Sequence, residues 1–323
     1  MYIKVYGKTF DYLLNDAEPF PARFAAYGKY ILNTVKEKVS KQFPDSNNII
    51  ITGIWFGKQY NNGEYEQLIR NKHVDNIFYI SAIDPVSLTD NEINEMLVET
   101  NSPALYKIGN FDNSNYSFST HANTYIDLLY KSNIQQLTSI KHKFINYNNK
   151  PTEHRVRLVE LIKNYKCGLI TLGKTDDDIV TQAGLVSASF GDLDTWNTHF
   201  LNVVSETTYE WHENIFVSEK TYKPLIGLRP FIINGNTRIY KYLRNNGFKT
   251  FNNYFPFAEL ENIMNKNLHE NIIKVLKFIC ATDNKELLNM YTDMLPDLLY
   301  NRERFKEFKI QEMNKIKNLT FKE

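Results

Sequence analysis

The stretch FVSEKTYKPLIGLRPFIING (Phe216–Gly235) places Ser218, Glu219, Lys220 and Lys223 at one end of an apolar run. A helix that only packs spreads its charges along one face. Here they crowd the end from which backbone N–H groups point outward, and that end holds anions. Two further polar groups fall at comparable places. FINYNNKPTEHRVRLVEL leads from Asn148 through a Pro-containing loop to His154 and Arg155 at a predicted helix start, and FLNVVSET closes on Ser205, Glu206 and Thr207. A diphosphate calls for cations and backbone donors, which Arg155 and Lys220 fit. A ribose calls for a carboxylate that accepts from its hydroxyls, which Glu219 fits. Taken singly, each of these is also readable as a solvated charge in a loop or first helical turn.

The elements that must position them alternate along the chain. NIIITGIWF (Asn48–Phe56), NIFYISAID (Asn76–Asp84) and ALYKIGNF (Ala104–Phe111) read as strands, the first two as runs buried on both faces, with EYEQLIRN and TDNEINEMLVET as helices beside them. The second half repeats the pattern. KFINYN (Lys143–Asn148), CGLITLG (Cys167–Gly173), FLNVVSET (Phe200–Thr207) and PFIING (Pro230–Gly235) read as strands, the second of them buried. EHRVRLVELIKNY and TRIYKYLRNNG read as helices, the latter with Asn236 as cap and Gly247 as its left-handed stop. From Ala258 onward the chain reads as nearly all helix. The expected class is α/β, with two Rossmann-like domains facing a cleft and a helical C-terminal segment. The expected domains are residues 1–138 and 139–323.

Bulk properties bound the function. The 323 residues carry 38 Lys and Arg against 37 Asp and Glu, a net charge of +1, so no global attraction to polyanions is expected. Cys167 and Cys280 lie in apolar stretches and read as buried free thiols, which suits a reducing compartment. MYIKVYGKTF is strand-like rather than an apolar leader, and no apolar run reaches ~18 residues. A cytoplasmic location, the host cytoplasm for a viral chain, is expected, without a transmembrane segment. The oligomeric state is left open.

FINYNNKPTEHRVRLVEL resembles the FLCLNRRPRPHR…L segment of a group of bacterial and viral glycosyltransferases of the GT-B type. FVSEKTYKPLIGLRPFIINGN…YLRNNGFKTF resembles the same group's FISEKTFKP…PFI…G…L…GFKTF segment. More remotely, SETTYEWHENIFVSEKTYKPLIGLRPFIING is similar to the FENS…YVTEK…NAL…PVVLG signature of α1,3-fucosyltransferases. Lys150 and Thr152 replace arginines of the first pattern, and Pro224 stands where the fucosyltransferase helix continues. The resemblance implies a nucleotide-diphosphate sugar as co-substrate, bound by the C-terminal domain, with no permanent cofactor and no requirement for a divalent metal. It implies Glu219 on the ribose, and Lys220 and Arg155 on the diphosphate. Asn148, Ser218 and Lys223 would stand beside them, and Glu206 would face the donor as a catalytic group. The acceptor would be a hydroxyl of a glycan, or of a hydroxymethylated base in viral DNA. Inversion is implied through the fucosyltransferase signature alone.

An inverting transfer needs a base. Asp84, at the end of NIFYISAID, is in a suitable place, although an Asp-Pro after a strand also forms turns. Asp112 and His121 are comparable candidates. His212 and Glu213, just before the helix motif, are candidates for sugar or acceptor contact. Asp192-Leu193-Asp194 has the D-x-D spacing of metal-dependent GT-A enzymes, against which stands turn capping. Arg302, Arg304, Lys306, Lys309, Lys315 and Lys317 form a basic tail, open to reading as a phosphate-tracking patch or a solvated mixed-charge helix. Two alternatives to a GT-B enzyme follow: a non-catalytic nucleotide-sugar or glycan-binding protein, and a GT-A enzyme using Asp192 and Asp194.

Overall fold

The computed structural model describes residues 2–6, 22–52, 74–81, 104–109, 116–117, 126–148, 151–173, 190–207, 209, 215, 217–255 and 267–321. The chain is α/β, with two parallel sheets in two compact units. Residues 1–124 and 310–323 form the first unit, and residues 125–309 the second. The division therefore falls at 124/125 where the sequence suggests 138/139, and the C-terminal residues group with the first unit.

The first sheet runs β1 (Tyr2–Tyr6), β2 (Asn47–Thr52), β3 (Asn76–Ser81), β4 (Ala104–Gly109) and β5 (Tyr116–Ser117), in that order and all parallel. Adjacent residues Ile77 and Phe78 are both buried, so β3 is covered on both faces, as its unbroken apolar run predicts. Between β1 and β2 lies α1 (Ala22–Gln42). Ile31, Leu32, Val35 and Val39 bury one stripe of it at helical spacing. Phe78 stacks on Tyr106 at 4.8 Å and meets Phe321 edge-on at 4.8 Å. Gln42 ties Phe321 down by accepting from its N–H (2.9 Å) and donating to its carbonyl (3.2 Å).

The second sheet has the order β7-β6-β8-β9, all parallel: β6 (His142–Asn148), β7 (Gly168–Leu172), β8 (His199–Ser205) and β9 (Phe231–Asn234). Its first strand lies inside the sheet, so the chain winds outward to β7 and then in the other direction to β8 and β9. That order is compatible with a Rossmann-like fold, and it puts a topological switch point between β6 and β8. Ligands of such sheets bind outside the carboxyl ends at that point. Every residue of β8 and β9 is buried. The buried-strand expectation for CGLITLG is corrected: among the described residues β7 pairs with β6 alone, none of its residues is buried, and Leu172 is 38% exposed.

The helices of this unit are α2 (Ile126–Lys131), α3 (Glu153–Ile162), α4 (Leu193–Asn197), α5 (Glu219–Ile226), α6 (Arg238–Asn245) and α7 (Leu268–Ala281). The last helix, α8 (Asn284–Lys317), begins in the second unit and ends in the first. The N-cap of α6 is Thr237 rather than the expected Asn236, whose Oδ1 still accepts from the Arg238 N–H at 2.9 Å; the helix stops before Gly247, whose φ is +82°. Among the described residues no helix is long and apolar enough to cross a membrane.

The two cysteines are not separate thiols. Cys167 and Cys280 form a disulfide with their Cα atoms 6.1 Å apart. Lys143 explains how partners 113 residues apart meet. Its N–H donates to the Cys167 carbonyl at 2.8 Å, and its Nζ donates to the Cys280 carbonyl at 2.9 Å. The sequence shows two isolated cysteines; only the β6–β7 register and the docking of α7 bring them together. The reducing-compartment expectation loses its support with this bond.

Candidate functional site

Helix α5 begins where the charge crowding places it. Ser218 is its N-cap, extended at φ −97° and ψ 178°, and its Oγ accepts from the Lys220 N–H at 3.3 Å. The anchor of this cap is Glu206, at the end of β8 and 0% exposed. Glu206 Oε1 accepts from the Ser218 N–H (3.1 Å) and the Thr221 hydroxyl. Oε2 accepts from the Ser218 hydroxyl (2.6 Å) and the Thr207 N–H (3.1 Å). A buried carboxylate is tolerated when donors surround it, and a helix N-terminus favours its charge. Glu206 thus fastens α5 to the sheet. Its carboxylate is enclosed by these donors and is not part of the wall of the cavity described below.

Pro224 sits inside α5 without delaying its start. It lies late in the eight-residue helix, which ends two residues further on, with Gly227 N–H bonding the Lys223 carbonyl at 2.7 Å. Gly227 then passes directly over an indole: a Cβ there would lie 2.6 Å from Trp196 and 2.6 Å from Phe190. Trp196 Nε1 donates to the Gly227 carbonyl at 3.0 Å. Arg302, on α8, donates to the Ile226 carbonyl at 2.9 Å, so both ends of α5 are held.

A cavity of about 190 Å³ lies beside this helix. The registers Tyr147↔Thr171 and Ile145↔Asn202 put Tyr147, Thr171, Asn202 and Val204 on one face of the sheet. All four line the cavity. Opposite them stand Phe190, Gly191 and Trp196, and from α5 come Glu219, Lys220 and Lys223. Gly191 has φ +79°, a backbone conformation that glycine adopts without strain. Glu219 Oε1 and Lys220 Nζ are 2.7 Å apart. Burial pulls the Lys223 amine down to about 8, against the opposing pull of Glu219.

The opposite face carries a polar network. Asn148 Nδ2 donates to Asn146 Oδ1 (2.7 Å) and Asn146 Nδ2 to the Val203 carbonyl (2.7 Å) and Ser205 Oγ (3.1 Å). Asn234 Oδ1 meets His269 Nε2 at 3.0 Å. Arg155, 4% exposed, donates to the Glu206 carbonyl at 3.0 Å, and His154 Nε2 meets the same oxygen at 3.0 Å. Burial holds the Arg155 guanidinium below its ordinary range, opposed by Glu206 and Glu219. Tyr209 stacks between two imidazoles, 5.0 Å from His154 and 5.2 Å from His269. Burial lowers both histidines, His269 to about 4.

Of the residues singled out in the sequence, the cavity gathers Ser205, Glu219, Lys220 and Lys223. Asn148, Arg155, Ser218 and Glu206 lie outside its walls and hold the strand ends and the cap. Asp84, Asp112, His121, His212 and Glu213 fall outside the described residues. Asp192 caps α4, accepting from the Thr195 N–H at 2.8 Å, and Asp194 pairs with Lys141 at 3.1 Å. In the basic tail, Arg304 donates to the Asn246 carbonyl and Lys306 pairs with Glu303 at 2.7 Å. The sequence reading missed Tyr147, Phe190, Trp196 and Asn202. For Asn202 a signal existed: one amide inside the apolar run FLNVV. Comparison with protein families, with curated proteins and with solved structures finds no match for this chain.

Proposed function

We propose that the chain is a GT-B glycosyltransferase. Its second unit would hold a nucleotide-diphosphate sugar, and the sugar would pass to an acceptor hydroxyl of a glycan or of a hydroxymethylated base in viral DNA. The observation that carries this reading is the meeting of Glu219, Lys220 and Lys223 on one cavity near the carboxyl ends of a parallel sheet. Fixed cations beside a helix N-terminus are what a departing diphosphate requires, and they act without reorganising as charge develops. Lys220 and Lys223 take the phosphates in this reading, and Glu219 accepts from the ribose hydroxyls. The motif resemblance supplies the sugar-transfer chemistry. Inversion rests on the fucosyltransferase signature and metal independence on the GT-B resemblance.

The enclosure of Glu206 favours a second reading, a nucleotide-sugar or glycan-binding protein without turnover. A carboxylate already accepting from four donors is poorly placed to take a proton from an acceptor.

A thermal-shift series with UDP-, GDP- and ADP-sugars, with and without EDTA, separates the readings when repeated on Glu219→Ala and Lys220→Ala. Stabilisation of the wild type by one nucleotide sugar, weakened in both variants and insensitive to EDTA, is expected. Release of nucleoside diphosphate on adding acceptor distinguishes enzyme from binder. Sensitivity to EDTA would favour the Asp192/Asp194 reading. A wild type that no nucleotide stabilises sinks the donor site.

A further inference from the structure

Asn202 sits in the middle of β8, a strand buried at every residue. Its side chain lies on the face that lines the cavity, level with Ile145 and one pleat from Val204. The residue is 8% exposed, and its carboxamide has no hydrogen-bond partner among the described residues. Neither amide atom of Asn202 is sealed from solvent, so the carboxamide opens onto the cavity and is available to whatever fills it. Asn146 and Asn234, by contrast, are bonded within the network on the opposite face. The amide therefore points to a ligand.

We propose that Asn202 is the specificity-determining residue of the cavity, reading the hydrogen-bonding edge of a nucleobase. This rests on the reading of the cavity as a nucleoside-diphosphate site, and it assigns the base end of that ligand. A carboxamide offers two donors and an acceptor side by side, which matches the adjacent donor and acceptor groups on a base edge. The surrounding Tyr147, Phe190 and Trp196 suit a planar heteroaromatic ring. At about 190 Å³ the cavity is smaller than the ~300–1,000 Å³ that drug-sized ligands occupy, so it encloses part of the nucleotide. The base takes the Asn202 end and the phosphates take Lys220 and Lys223. Bases that present the wrong pattern leave the amide unpaired once the ligand has displaced water from it, and that is how such a site discriminates.

Calorimetric titration of UDP, GDP, ADP and inorganic pyrophosphate into the full chain tests this, with wild type, Asn202→Ala and Lys220→Ala compared. In Asn202→Ala the preferred nucleoside diphosphate loses roughly tenfold or more in affinity, the scale of one buried hydrogen bond left unmade. Pyrophosphate affinity stays unchanged in that variant, whereas Lys220→Ala weakens both ligands. If nucleotides bind and Asn202→Ala keeps their affinities and ranking, or loses pyrophosphate equally, Asn202 does not read the base while the donor site stands. If neither nucleotide nor pyrophosphate binds the wild type, the donor site itself falls. Should Asn202→Ala not fold, the side-chain amide resonances of Asn202 in the wild type decide. They move with the preferred nucleoside diphosphate and stay in place with pyrophosphate; movement with both or with neither overturns the proposal.

Discussion

The Glu206 carboxylate and the Ser218 hydroxyl, 12 residues apart in sequence, lie 2.6 Å apart with Glu206 fully buried. This contact joins the end of β8 to the cap of α5, so the charged face of the helix is aimed by a residue that never touches the cavity. Glu206→Ala removes the acceptor for two backbone N–H groups and two hydroxyls. A loss of roughly 3 kcal/mol or more in folding stability is expected in urea denaturation, accompanied by weaker pyrophosphate binding. Glu206→Gln keeps the volume and one acceptor oxygen, so a smaller loss is expected. A Glu206→Gln chain with wild-type stability and abolished sugar transfer would return Glu206 to the chemistry.

The Cys167–Cys280 bond closes a loop of more than 100 residues around most of the second sheet. Its removal by Cys167→Ser or Cys280→Ser frees the unfolded chain, with a typical expected loss of about 2–4 kcal/mol. Melting with and without reductant reads this directly: wild type falls to the level of the serine variants, which do not respond. Equal melting temperatures under both conditions contradict a bond that contributes to stability.

How far the sequence shows the site depends on strand parity. Continuous apolar runs rich in β-branched residues marked β3, β8 and β9, whose buried adjacent residues show cover on both faces. Helix α1 escaped notice because Ile31, Leu32, Val35 and Val39 occupy only its second half. Lys220 and Lys223 were legible, since charges packed into one helical turn stand out. Asn148 and Arg155 were placed at the correct end of the sheet, but an end does not specify a face. Tyr147 and Asn148 are neighbours, and the alternation of the strand sends one into the cavity and the other into the polar network. Nor does any local signal join Phe190 and Trp196 to α5, because Gly227 meets them only after the chain has passed through β8.

Phe321 is buried against Phe78 and Tyr106, with its main chain bonded on both sides by Gln42. The C-terminal residues therefore contribute to the core of the first unit. Phe321→Ala should lower stability by about 3–5 kcal/mol in chemical denaturation, the scale for removing a buried aromatic ring. A change below about 1 kcal/mol contradicts this packing. The nucleotide binding proposed for the second unit, measured well below the unfolding transition, is expected to stay unchanged.

Lys223 links the cavity to pH with two opposite signs. Its amine is pulled from 10.5 to about 8 by burial, so the folded chain releases this proton before the unfolded chain does. Below about pH 8 both states carry it and the linkage is flat. Between about 8 and 10.5 the unfolded chain alone holds the proton, so the Lys223 contribution to the stability of the ligand-free protein rises with pH. In the proposed reading diphosphate binding needs the charged amine, so affinity is expected to fall over the same window. Thermal melts and pyrophosphate titrations from pH 7 to pH 10, on wild type and Lys223→Met, separate the two effects. The difference in stability between wild type and variant should grow in favour of wild type as pH rises. Their difference in affinity should shrink. If both quantities run parallel in the two proteins, the Lys223 amine is neither depressed by burial nor in contact with the phosphates.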